Sequence, residues 1–476
     1  MRDIPASACQ HVHLDMGHTD MQFLSTDELR RLDRQHHLHP FTELAAYARV
    51  GGRVMTHAEH IYVYTSDGHQ LLDGMSGLWC VNLGYSQPRI VEAITRQLQT
   101  LPFYNNFFAC SNETAALLAG RLAKVFPPGF KRFFFTNSGS EANDTNLRIV
   151  HRYFDLIGKP AKKHIISRRN GYHGSTIAGA SLSGMDDMHA QFSMLGFVHH
   201  VMQPYWYGEG GDLSPDEFGL KAAQALADAI DRIGPDKVAA FIAEPVQGAG
   251  GVIIPPSTYW PAVERICRER GVLIISDEVI CGFGRTGRWF GCESLGYRPD
   301  LISFAKAVTN GYQPLGGVGL GDLVADVLTS APGEFAHGFT YSGHPVPCAA
   351  ALATLDILES EHVIEKTVNT ATRLRTRLAT LQDHPLVGDV RTHGMLAAIE
   401  LVRNKSSRER LQANGVAAEV ARDHAIDNGL MVRAVGDSLV TAPPLVITDD
   451  EMDLLISRLR RALDLTAAHY GIRVDR

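Results

Sequence analysis

The spacing of apolar positions changes character along the chain. Residues 1–40 hold no sustained period; they are polar, carry His11, His13, His18, His36, His37 and His39, and are expected to form an irregular arm that enters the fold at Pro40-Phe41. The histidines show no fixed metal-ligand spacing, so no metal site is expected there. Residues 53–73 alternate as half-buried strands do. Ser66-Asp67-Gly68 supplies a turn between Ile61-Tyr62-Val63-Tyr64 and Leu71-Leu72-Asp73, which predicts a small hairpin. From about 113 to 345 the pattern becomes short continuous apolar runs interleaved with helical stretches. Arg132–Phe135, His164–Ser167, Val238–Ala243, Val272–Ser276 and Leu301–Phe304 read as strands buried on both faces. They predict an α/β domain with a largely parallel sheet. After about 346 come long helices, a strand-rich part from Leu386 to Leu401, a strand around Leu430–Ala434, and a final amphipathic helix. That helix opens with the capping-box spacing Thr448-Asp449-Asp450-Glu451.

Composition narrows the function classes. A chain of 476 residues, 45% hydrophobic and 20% charged, is long enough for two or three packed domains, at about 150 residues each. The formal charge of −7 gives no broad basic footprint for nucleic acid or anionic membrane. No apolar stretch approaches the roughly 18 residues that span a bilayer, and the His-rich start lacks a signal-peptide core, so a cytoplasmic protein is expected. The seven cysteines, Cys9, Cys80, Cys110, Cys267, Cys281, Cys292 and Cys348, are scattered without C-x-x-C spacing and point to free thiols. Of only ten lysines, Lys306 is the sole one between Lys237 and Lys366, and it lies in the apolar run Leu301–Val308.

Candidate chemistry collects where the predicted strands end. Thr136-Asn137-Ser138-Gly139-Ser140-Glu141-Ala142-Asn143 follows one strand and opens a helix. Gly139 permits close backbone approach, Ser138 and Ser140 offer hydroxyls, and a helix N-terminus favours an anion such as phosphate. Asp277 closes the interior run Gly271–Ser276, where an ionised carboxylate is costly unless paired; a cationic ring nitrogen would satisfy it. Lys306, two residues past Phe304, would lose solvation and shift toward a neutral nucleophile. Open α/β sheets bind ligands at such carboxyl ends. Pyridoxal phosphate requires this combination of amine, carboxylate and anion site. Tyr172, after another strand end, offers a ring for stacking. Gly282-Phe283-Gly284-Arg285-Thr286-Gly287 matches a dinucleotide fingerprint, but no helical period follows it and Asp277-Glu278 precede it, so a nicotinamide dehydrogenase is the distant alternative.

With these motifs the chain resembles the class III, or omega, aminotransferases of the fold type I pyridoxal-phosphate enzymes, from about Phe41 to the last helix. The matching segments are 73–80, 137–143, Asn170-Gly171-Tyr172-His173-Gly174-Ser175-Thr176, Glu244–Gly251, Asp277–Gly287 and His337–Pro345. The resemblance implies a large cofactor-binding α/β domain over 76–345 and a small α+β domain built from 41–75 and 346–476, after an arm of 1–40. It implies that Lys306 is the Schiff-base lysine, Asp277 the partner of the ring nitrogen, and Tyr172 the stacking ring. Ser138, Gly139 and Ser140 would bind phosphate, Val279 would pack beneath the ring, and His173 and Glu244 would support the site. Phe339 and Thr340 would reach the phosphate of a neighbouring subunit, which implies a homodimer with shared sites; pairing of dimers into tetramers is open. Ala307 departs from the glycine usual after the lysine.

Within the family the likeness is greatest to the amine–pyruvate and putrescine–pyruvate subgroup. Relatives acting on ornithine or 4-aminobutyrate carry Arg where Ser175 stands, so an amine without a carboxylate near the reacting carbon is expected. Arg433 matches the subgroup's mobile arginine for the acid substrate, and a guanidinium fork suits that task. Trp79, Tyr172, Ala249 and the partner subunit's Phe107 would line the substrate pockets. The implied reaction is ping-pong transfer from a primary amine or diamine to pyruvate. A decarboxylase or aminomutase of the same fold would share every cofactor residue.

Overall fold

The computed structural model describes residues 24–411 and 415–474, so His11, His13, His18 and Cys9 lie outside the described residues. Two compact units are present: residues up to 57 with 64–69, and 58–63 with all of the chain from 70 onward.

In the first unit the chain from 24 to 40 is less irregular than its sequence suggests. Thr26–His36 is helical, with Ser25 as N-cap and Asp27 and Glu28 in the first turn. Its apolar stripe is too thin to show a period, so caps and charges carry it. Arg30 pairs with Asp67 at 2.7 Å, and Thr26 Oγ1 donates to Ser66 O at 2.9 Å. Asp33 gathers Nδ1 of His37 at 3.1 Å, Nε2 of His39 at 3.0 Å and the Tyr47 hydroxyl. These groups satisfy one another, and the Tyr47 bond is the leading reason the Asp33 carboxyl sits below its ordinary range. The turn expected at Ser66-Asp67-Gly68 closes with Gly68 N donating to Thr65 O.

The second unit is built on a seven-stranded sheet. Its order is Phe130–Thr136, Gly316–Gly321, Leu301–Phe304, Leu273–Asp277, Val238–Ala243, His164–Arg168, Val198–Val201. All five strands read from the sequence are present, and the four from Leu301 to His164 in this order run parallel. Two strands were not expected. Val198–Val201 is short and half polar, with His199 and His200 at its centre. Gly316–Gly321 has four glycines in six residues and no side-chain pattern, and it runs antiparallel to both neighbours. Glycine is a packing requirement here: a Cβ on Gly316 would meet Ser138 O at 2.5 Å, and one on Gly319 would meet the Phe126 ring at 2.6 Å.

A smaller antiparallel sheet orders Val387–His393, Leu396–Leu401, Ser438–Thr441 and Arg433–Val435. The expected strand near Leu430–Ala434 is in fact two. Leu430–Met431 pairs with Leu72-Asp73, while Arg433–Val435 pairs with Ser438–Val440, and buried Val432 separates them. The last helix, Asp449–His469, has the capping box of Thr448 and Glu451. Early and late chain are laced together: Ala442 N donates to Gly74 O at 2.6 Å, and Leu445 N to Asn82 O at 2.8 Å. The glycine-rich fingerprint region is a set of turns whose Arg285 is fully buried, donating to Pro443 O at 2.6 Å, to Ser76 Oγ at 3.0 Å and to Asn82. It fastens segments together and opens no helix.

Overpacking by one methyl at the Gly319–Phe126 contact should cost about 1–3 kcal/mol. Gly319→Ala is therefore expected to lower the urea midpoint of unfolding at little change in slope; an unchanged midpoint would show that the sheet can yield there.

Candidate active site

A cavity of about 440 Å³ opens over the carboxyl ends of the parallel strands and the start of the antiparallel one. Its wall includes Ser138, Gly139, Ser140, Tyr172, His173, Glu244, Asp277, Val279 and Lys306. Sequence separations of up to 168 positions thus close into one chamber because each strand delivers its last residue to the same edge.

The helix Gly139–Leu156 begins at this edge. Ser138 caps it, its Oγ accepting from Glu141 N at 3.2 Å, while Glu141 Oε2 accepts from Asn137 N at 2.7 Å. A helix start leaves backbone N–H groups without intrahelical partners, and here they lie at the cavity wall. A Cβ on Gly139 would stand 2.9 Å from Val279, so glycine lets Val279 close on the loop. Ser140 Oγ accepts from Ser175 N at 3.2 Å.

Asp277 ends its strand almost wholly buried. Its Oδ2 is bonded to His173 Nδ1 at 2.8 Å and accepts from Asn143 Nδ2 at 2.8 Å; Oδ1 accepts from Val279 N at 3.2 Å. Asn143 is fixed in turn by Ser303 Oγ at 2.6 Å, and Asn146 Nδ2 donates to that hydroxyl at 2.7 Å. Asn143, Asn146 and Ser303 were assigned no role in the sequence reading. Their signal was present: two asparagines three apart on an apolar helix face, and a serine inside a buried run.

Glu244 accepts from Tyr172 N at 3.1 Å and from Gly248 N at 2.8 Å. Burial raises its carboxyl, His173 pulls it back, and Asp277 adds to the rise. Lys306 stands on a one-turn 3₁₀ helix with φ +48°, a strained position that aims a single side chain from the strand end. Desolvation pushes its amine below the ordinary lysine range, against the pull of the Cys80, Asp277 and Glu244 charges. Ala307 is absent from the positive-φ residues and its side chain is buried, so the missing glycine is accommodated without strain at that position.

Trp79 comes from the turn that follows Asp73, whose carboxylate accepts from Met75 N at 2.9 Å, Gly77 N at 2.5 Å and the Tyr85 hydroxyl at 2.7 Å. Its ring lies 5.3 Å from Lys306 Nζ and 5.4 Å from the Arg433 guanidinium. Burial lowers the Arg433 guanidinium, and it makes no ion pair with the described residues. Ala249 is buried on the adjacent turn and does not line the cavity wall. Trp79 and Arg433 stand beside the wall rather than in it, and Phe107, Phe339 and Thr340 do not line it; the Phe107 ring lies about 3.0 Å from where a Cβ on Gly338 would be.

The chamber can therefore take an anion at a helix start, a cation against Asp277, and a reactive carbonyl at Lys306. That donor set fits pyridoxal phosphate.

Comparison with known proteins agrees with this chemistry. The family model for aminotransferase class III matches residues 46–463. The chain belongs to the class III aminotransferases. Such enzymes use pyridoxal phosphate. A putrescine–pyruvate aminotransferase of Pseudomonas aeruginosa is 52% identical over 446 residues, 93% of this chain and 97% of that one. A chloroplastic gamma-aminobutyrate transaminase of Solanum lycopersicum is 40% identical over 92% of this chain and 86% of its own. Among solved structures, the omega transaminase of Pseudomonas jessenii in complex with PMP superposes with a TM-score of 0.91 at 40% identity, covering 93% of this chain and 99% of that one.

Beside Asp277, Glu278 is fully buried and accepts from Gly291 N and Cys292 N, both at 2.7 Å. Burial nevertheless pushes its carboxyl up to about 7. The folded enzyme then holds a proton that the unfolded chain releases near its ordinary value of 4.5. This group's contribution to stability is present below that value and is lost as pH rises toward about 7. Glu278→Gln should flatten the fall in unfolding free energy across this window, measured by denaturant titration at several pH values; an unaltered slope would place the proton elsewhere.

Proposed function

We propose that this aminotransferase moves an amino group from a primary amine or diamine of the putrescine type to pyruvate, giving the aldehyde or ketone and alanine. The observation that carries this reading is which of two positions beside the chamber wall, Ser175 and Arg433, bears a cation. Ser175, not a fixed arginine, follows Gly174, and its Oγ lies 3.0 Å from the Tyr172 hydroxyl. Arg433 instead rests on the Trp79 ring, a partly desolvated contact that an arriving carboxylate can outbid and an apolar or cationic amine can leave alone. The 52% identity to a putrescine–pyruvate enzyme supports the same assignment.

The cofactor, when bound, supplies a reactive carbonyl carbon and an electron-withdrawing ring. The residues supply the rest. Ser138, Gly139 and Ser140 would hold phosphate by the helix start, and Tyr172 and Val279 would pack against the ring. Asp277, hydrogen-bonded to His173 and Asn143, would hold a proton on the ring nitrogen. Lys306 Nζ, its amine lowered by desolvation, would carry a proton from the substrate carbon and return it. Glu244 braces Tyr172 through its backbone N–H.

A homodimer belongs to the same proposal. Phe107 and Phe108 are 38% and 91% exposed, Phe103, Tyr104 and Tyr341 are exposed beside them in sequence or fold, and Phe339 and Thr340 do not line the cavity of their own chain. An exposed aromatic group of this size supports burial by a second copy.

An amine panel with pyruvate, read as alanine formation, tests the reading; transfer only to 2-oxoglutarate, or carbon dioxide release without alanine, would overturn it. Arg433→Ala should raise the KM for pyruvate about tenfold or more, the loss of a charged hydrogen-bond pair worth about 1.5–3 kcal/mol, with the amine half-reaction nearly unchanged. Asp277→Asn should retain cofactor while losing most turnover, and Lys306→Ala should lose it altogether; wild-type rates in either variant would remove that residue from the scheme.

A further inference from the structure

The Ala249 turn is held in a conformation it would not choose by itself. Val252 has φ +53°, a left-handed geometry that β-branched residues rarely take. Its side chain is fully buried in one apolar cluster with Met75, Trp79 and Val440, so the strained residue packs against the segment that carries Trp79. Along the turn several polar backbone groups are fastened. Gly248 N donates to Glu244 Oε2 at 2.8 Å, Gly248 O accepts from Gly251 N at 3.1 Å, and Gly250 O accepts from Asn170 Nδ2 at 2.8 Å.

The last two carbonyls are taken by one side chain from the smaller sheet. Arg391 Nε donates to Val252 O at 2.9 Å, and Nη2 donates to Gly251 O at 2.7 Å. Nη2 also reaches Ser438 Oγ at 2.8 Å, while Nη1 pairs with Glu400 at 2.6 Å and Asp389 at 3.5 Å. The guanidinium lies 5.3 Å from the Tyr205 ring. All of its donor nitrogens are engaged, an arrangement that a lysine with its compact head cannot reproduce. Ser438 pairs with Val435 on the strand that begins at Arg433, and Val435 Cγ1 lies 3.6 Å from where a Cβ on Gly251 would be.

We propose that Arg391 is a positioning residue for substrate specificity. By holding Gly251 and Val252 on one side and Ser438 on the other, it fixes the distance between the Ala249 turn and the strand carrying Arg433. The inference rests on the reading above that Arg433 receives the acid substrate, since Ala249 itself is buried and does not line the cavity. Arg391 touches neither cofactor residues nor Lys306, so its effect is on the fit of the acid and of long amines rather than on the chemical step.

Two measurements on the holoenzyme test it. Hydrogen exchange should rise about tenfold at Gly251 and Val252 in Arg391→Lys, with the strand Val238–Ala243 unchanged. In the same variant, KM for pyruvate and for a long diamine should rise about tenfold while kcat with a short monoamine stays within about threefold. Val252→Gly, which takes positive φ freely, should restore part of that KM in the Arg391→Lys background. Should Arg391→Lys fail to fold, Ser438→Ala carries the same two readouts with smaller effects. Unchanged exchange in the turn, or a loss uniform over all substrates and all segments, overturns the proposal. If exchange rises locally while the wild type transfers no amine to pyruvate, the clamp stands and the substrate reading fails.

Discussion

One buried carboxylate organises this enzyme. Asp277 sits at the end of an interior strand where an uncompensated charge would be excluded, and the surrounding structure exists in large part to make it tolerable. His173 and Asn143 bond to it directly, Ser303 and Asn146 hold Asn143, and the helix that carries both asparagines is the one whose start faces the cavity. The proposed anion site and the proposed cation partner are therefore linked by hydrogen bonds. Moving either without the other would break a chain of hydrogen bonds that runs through the floor of the chamber.

Much of this was legible in the sequence because interior strands leave an unambiguous trace. Continuous apolar runs that end at or just before Thr136, Asp277 or Lys306 cannot hide their polar termini, and a lysine isolated by many residues from any other is easy to notice. What could not be read was whatever depends on shape rather than polarity. The strand Gly316–Gly321 has almost no side chains to pattern, since its neighbours Ser138, Phe304 and Phe126 fill the space. The break at Val432 divides one apolar stretch between two sheets, a choice made by partners far away in sequence. The helix from Thr26 depends on caps and charges rather than on a stripe.

The candidate site shows the same division. Residues whose type is dictated by charge, Lys306, Asp277 and Glu244, were recognisable singly. Residues that act by spacing, Asn143, Asn146, Arg391 and Ser438, acquire meaning only when their partners are placed. Trp79 is intermediate: its motif marked it, but its position between an amine and a guanidinium is a property of the fold.

The lacing of early to late chain has a consequence for biosynthesis. Ser76 and Ala442, joined by a 2.7 Å hydrogen bond, are separated by 366 positions. At about 5–20 residues per second, a ribosome needs roughly 20–70 s between making the first and making the second. Until Ala442 is made, the turn bearing Trp79 lacks the Ala442–Leu445 segment, while Arg285 and the glycine strand that pairs with Phe134 and Phe135 arrive earlier. Nascent chains of this enzyme thus carry a half-built sheet from the first strand at Phe130 until Gly321 has been made, an interval set by the connectivity of the fold.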